Sequence, residues 1–116
     1  MKIFLKEIYQ LDTEYQEILI DEDNFKNVQY VPVSTQKQYI NGLLYEDIYV
    51  LEPLTYYKIK IKEHISYHGS VFIPNYRLLE SGMIVSFCKQ ELTVFVYNTT
   101  QNHIFLKKDV MIGEVE

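Results

Sequence analysis

Thr55-Tyr56-Tyr57-Lys58-Ile59-Lys60-Ile61-Lys62-Glu63 is the stretch on which the fold turns. From Tyr57 onward apolar and cationic residues alternate. A strand repeats every two residues, so it places Tyr57, Ile59 and Ile61 on one face and Lys58, Lys60 and Lys62 on the other. The same theme continues outward. Towards the C-terminus, residues 70–74, 83–88, 91–97, 103–106 and 110–115 are short runs of β-branched, aromatic and aliphatic side chains. Turn signals separate them: Tyr67-His68-Gly69, Pro74 and Lys107-Lys108-Asp109. Arg77-Leu78-Leu79-Glu80-Ser81-Gly82 has the length and closing glycine of a single helical turn.

Towards the N-terminus, residues 47–51 form a short apolar strand stopped by Glu52-Pro53. Asn41-Gly42, flanked by Tyr39-Ile40 and Leu43-Leu44-Tyr45, predicts a tight hairpin. Residues 36–39 are ambiguous in sequence. Residues 29–34 form a strand that Pro32 confines to an edge or a strand start. Residues 14–20 suit a strand or a short helix, Asp21-Glu22-Asp23-Asn24 a solvated loop, and residues 2–9 a first strand. Many short strands with no long amphipathic helix predict an all-β domain, a distorted barrel or sandwich of mostly antiparallel strands.

The chain of 116 residues suits one domain, 1–116, in which about 65% of the unfolded surface is buried without help from disulfides. The single cysteine, Cys88, excludes an intrachain disulfide and is expected to be a small core residue. A formal charge of −5 argues against duplex nucleic acid as the main partner, because phosphate binding needs clustered cations. The three alternating lysines are the one dense cationic stretch. They suit a solvated face or a protected edge, with a phosphate-binding stripe as the alternative. The first residues lack a signal-peptide apolar region, and no apolar run approaches the ~20 residues of a membrane helix. A cytoplasmic location with no membrane partner is the expectation.

From about Tyr49 onward the order of pieces resembles the deoxyuridine triphosphatase (dUTPase) and dCTP-deaminase superfamily. Leu51-Glu52-Pro53 with the strand after Tyr56, and Gly69-Ser70-Val71-Phe72-Ile73-Pro74, are similar to its opening segments. Gly82-Met83-Ile84-Val85 resembles its Gly-Ile-x-Val strand. The strand ending at Asn98 and the stretch from Lys107 to Val115 resemble its last pieces. The resemblance covers residues 49–116; residues 1–48 do not align. It implies a dUTPase-like β fold and a homo-oligomer, with a trimer favoured.

The family's chemistry does not come with it. The family uses carboxylates to hold Mg²⁺ on a triphosphate and to orient water. Here its Ala-Gly-x-Asp signature has no counterpart, and Pro74-Asn75-Tyr76-Arg77 stands where small phosphate-loop residues belong. Ser86-Phe87-Cys88-Lys89-Gln90 is too short to wrap a pyrimidine and holds no carboxylate. Glu91, the nearest candidate for a deaminase base, opens a strand. His64 and His68 alone do not make a zinc site. No catalytic residue, metal or cofactor is assigned.

The surplus is instead in tyrosine, eleven residues, whose amphipathic rings are favoured at protein interfaces. Tyr56, Tyr57, Tyr67, Tyr76 and Arg77 are the candidate interaction residues. The expected function is a non-catalytic, dUTPase-like module that binds protein or serves structurally. The bias to Lys, Ile, Asn and Tyr suits an AT-rich phage or mobile element, hence a host-directed inhibitor or a virion component. A divergent nucleotide-binding protein, dNTP hydrolase or deaminase is the alternative.

Overall fold

The computed structural model describes residues 1–11, 29–64, 71–88, 91 and 93–116. Ten strands and one short helix occur there: β1 (Lys2–Leu11), β2 (Tyr30–Val33), β3 (Gln36–Ile40), β4 (Leu43–Leu51), β5 (Tyr56–Ile61), β6 (Phe72–Pro74), α1 (Tyr76–Glu80), β7 (Met83–Cys88), β8 (Thr93–Asn98), β9 (Ile104–Lys107) and β10 (Met111–Val115). The larger sheet runs β6-β10-β1-β5-β8-β7, with β2 added to β1, and every pairing is antiparallel. Its two ends meet where Phe72 of β6 stacks on Phe87 of β7, ring centroids 5.2 Å apart. The result is a nearly closed, barrel-like sheet. The second sheet is small, ordered β3-β4-β9.

The alternation that opens the sequence is realised in β5: Tyr57, Ile59 and Ile61 are buried while Lys58 and Lys60 face out. β5 lies between β1 and β8, so its lysines do not protect an edge as one reading of the sequence allowed. They cover the outer face of an interior strand. β1 buries Ile3, Leu5, Ile8 and Leu11. Strict alternation would turn Ile8 outward, but the register slips between Leu5 and Glu7, a β-bulge that resets the faces. Residues 1–11 are thereby built into the barrel, with β1 holding β5 on one side and β10 on the other.

Asn41 (φ 50°) and Gly42 (φ 80°) form the two-residue turn joining β3 to β4, with Ile40 opposite Leu43. Two positive φ angles define a type I′ turn, whose twist matches the flanking strands. Residues 36–39, ambiguous in sequence, become β3 because the hairpin supplies a partner. The two apolar runs 43–45 and 47–51 merge into the single strand β4. Its pairing with β3 slips at Glu46 and Asp47, where these two residues of β4 face the single Lys37 of β3. The helical turn forms as α1, whose N-terminus is capped by the Asn75 side chain accepting from the Arg77 N–H at 3.1 Å. Gly82 follows at φ 98°, a conformation natural to glycine. The expected elements at 14–20, 21–24 and 67–69 lie outside the described residues.

Candidate functional site

The five candidate interaction residues are dispersed. Tyr57 is 1% exposed, and its hydroxyl accepts the Glu52 N–H at 2.6 Å; burial pushes its pKa up to about 12. Its ring belongs to the core. Tyr56 points outward and stacks on Tyr97 of β8, centroids 4.1 Å apart. Tyr76 and Arg77 are both exposed on α1, and Arg77 lines a 430 Å³ groove with Phe105 and Lys107 of β9. Tyr67 lies outside the described residues.

A more concentrated surface is formed by the β3–β4 hairpin. Tyr39 is 69% exposed, Leu43 63% and Leu44 46%. Opposed residues of an antiparallel pair share a face, so Tyr39 and Leu44 lie on one side of this arm and Ile40 and Leu43 on the other. Large apolar side chains therefore lie on both faces at its tip. The second face continues into a 440 Å³ groove lined by Ile40, Tyr45, Ile48, His103, Phe105 and Lys107. Lys107 Nζ sits 5.3 Å from the Tyr45 ring centroid, a cation–π distance. β3 pairs with β4 alone, so its other edge has no strand beside it among the described residues. The sequence signal was the unbroken apolar pair on each side of Asn41-Gly42. A one-face-buried hairpin alternates, and this one does not.

The lysines of β5 define a second surface. Lys58, Lys60 and Lys62 line a groove of 690 Å³ with Lys6, Tyr9 and His64. The β1 bulge leaves Lys6 without an opposite residue on β5 and adds its charge to the stripe. Acidic groups temper this charge. Lys62 forms an ion pair with Asp109 at 2.6 Å. The Glu7 carboxyl is held below its ordinary pKa by a hydrogen bond from Tyr9 and then by Lys60 and Lys6. Lys58 lies 5.2 Å from the ring centroid of Tyr30. Tyr30 itself is pushed up to about 12 by burial and by nearby Glu91.

Asn98, which ends β8, is fully buried and organises the neighbouring turns. Its Nδ2 donates to the carbonyls of Asn102 (2.8 Å) and Glu52 (3.0 Å). Its Oδ1 accepts from the Thr100 N–H (3.0 Å) and hydroxyl (2.7 Å). With both ends satisfied, it acts as a structural clamp between the loop 98–103 and the entry to β5. Cys88 is half-buried at the end of β7. Among the described residues, no three His, Cys, Asp or Glu side chains gather as metal ligands, and no helix is long and apolar enough to cross a membrane. Comparison with protein-family models, curated proteins and solved structures found no match.

Proposed function

We propose that this chain is a non-catalytic β module that works by protein–protein contact, with the β3–β4 arm as its contact surface. The observation that carries the reading is the exposure of Tyr39, Leu43 and Leu44 together at the tip of one hairpin. Burying apolar area is worth roughly 25 cal/mol per Å². Large side chains clustered on a free arm are therefore a reserve of binding energy that folding leaves unused. Phe105, which lines both the groove beside Ile40 and the one beside Arg77, extends the apolar surface next to it. In this reading the residues from Tyr49 onward keep a dUTPase-like framework without its metal-binding carboxylates. The module is a homo-oligomer in the cytoplasm, or a phage-encoded protein that engages a host or virion protein.

The test compares the chain with its Leu43→Glu/Leu44→Glu variant. Light scattering reads self-association, and affinity capture from a lysate of the source cells reads a partner. The expected outcome is an assembly or a retained protein that the variant loses with its fold intact. A strict monomer that holds no protein, indistinguishable from the variant, ends the reading.

The lysine groove favours a second reading, a module that binds a phosphate-bearing small molecule such as a nucleotide. Four lysines and His64 around one groove are the supporting observation. A ligand that binds only the folded state raises the melting temperature. Pyrophosphate and nucleoside triphosphates are expected to do so in the chain and not in Lys58→Glu/Lys60→Glu. Equal melting with and without them removes this alternative.

A further inference from the structure

We infer that the partner of the β3–β4 arm is a second copy of this chain, joined by antiparallel pairing of β3 with β3 across a two-fold axis. This deepens the protein-contact reading and rests on it.

The argument begins with the backbone. In the type I′ turn the Ile40 carbonyl and the Leu43 N–H close the hairpin, so Ile40 and Gln38 direct their N–H and C=O groups towards β4. Tyr39 and Lys37, the intervening residues, direct theirs to the edge that no strand occupies among the described residues. One long contact agrees with this placement: the carbonyl of Tyr39 accepts from the Gln38 side-chain amide at 3.5 Å. An edge with a two-residue repeat of free donors and acceptors is a template for another strand.

Charge then selects the register. Lys37 is the only charged residue of β3. Placing it opposite the partner's Lys37 sets like charges side by side, which is unfavourable. Moving the centre to Gln38 puts Lys37 opposite the partner's Tyr39 and Tyr39 opposite the partner's Lys37. Each is a hydrogen-bonded pair, so four backbone bonds form, and each ammonium lies beside a ring it can contact as a cation–π pair. Gln38 meets the partner's Gln38 at the axis. Tyr39 and Leu44 of both copies then share one face of a continuous sheet ordered β9-β4-β3-β3-β4-β9.

A self-complementary contact of this kind closes at two chains. A five-residue strand falls short of the roughly 800 Å² per partner of a standard interface, so the dimer is expected to be concentration-dependent.

The test is disulfide mapping in a Cys88→Ser background, alongside light scattering of the unmodified chain. Residues facing each other in a non-hydrogen-bonded pair have Cα atoms about 4.5 Å apart, within disulfide reach. Gln38→Cys is expected to give a covalent dimer under mild oxidation, well above an exposed control, Glu80→Cys. Lys37→Cys and Tyr39→Cys alone lie on the diagonal at about 7–8 Å and do not cross-link, whereas a mixture of the two does. Tyr39→Pro removes an outward N–H without touching the pairing with β4, and is expected to weaken dimerisation at least about ten-fold.

Cross-linking of Lys37→Cys alone, no excess of Gln38→Cys over the control, or a trimer by light scattering overturns the inference. If the chain is monomeric but loses a captured protein with Leu43→Glu/Leu44→Glu, self-pairing fails and the wider reading stands. If capture is also absent, both fail.

Discussion

β5 and the β3–β4 arm draw on the same residue types, tyrosine and branched aliphatics, and place them oppositely. Tyr57 is in the core and Tyr39 is among the most exposed large side chains of the described chain. In β5 apolar residues alternate with lysines, so one face can be buried completely while the other stays in water. In the arm they run consecutively through Tyr39-Ile40 and Leu43-Leu44-Tyr45, so neither face is polar and the core can cover only the arm's base. The period of the pattern, more than apolar content, decides which hydrophobic segment becomes core and which becomes contact surface.

Mutations sharpen that contrast. The largest effect is expected from Ile59→Ala, which empties a fully buried position and should cost about 2–5 kcal/mol in urea unfolding. Asn98→Ala comes next, about 2–3 kcal/mol, because it leaves the carbonyls of Glu52 and Asn102 without their donor inside the fold. Tyr57→Phe should cost about 1–2 kcal/mol by leaving the Glu52 N–H without its acceptor.

Tyr57→Phe also tests a pH effect. The pKa of Tyr57 is raised on folding from its ordinary value to about 12, so its stabilisation is complete below about pH 10 and is lost as pH rises towards 12. The alkaline limb of stability against pH should flatten in this variant, leaving the parts due to Tyr30 and Tyr49, which burial raises in the same way, and to Tyr9, raised first by its hydrogen bond to Glu7. Leu43→Ser closes the series. At concentrations where the chain is monomeric it should change stability by no more than about 0.5 kcal/mol, as surface substitutions do. A loss comparable to Ile59→Ala would mean that the arm is core after all and would erase the contrast.

The strands after Tyr49 were legible because each carries its own signal: alternation in β5, stop residues at Pro53 and Pro74, and the glycine that closes α1. The candidate contact surface was only partly legible. Tyr56, Tyr76 and Arg77 do lie at the surface, but Tyr57 next to Tyr56 does not. Neighbouring residues of a strand point to opposite faces, and a list of tyrosines does not say which face is inside. The apolar tip of the arm was visible as residues and not as a surface. Consecutive hydrophobics look the same in a strand buried on both sides as in one exposed on both.

By itself, then, the chain determined its class and most of its strands, since local periodicity and turn chemistry act within a few residues and need no distant partner. Tertiary structure alone decided that β1 stands between β5 and β10, that the lysine strand is interior, and that no described residue covers the tip of the arm. The first two depend on pairing between segments far apart in sequence, and the burial of β1 on a bulge at Lys6 that fits it to β5. The third depends on where the small sheet sits beside the barrel.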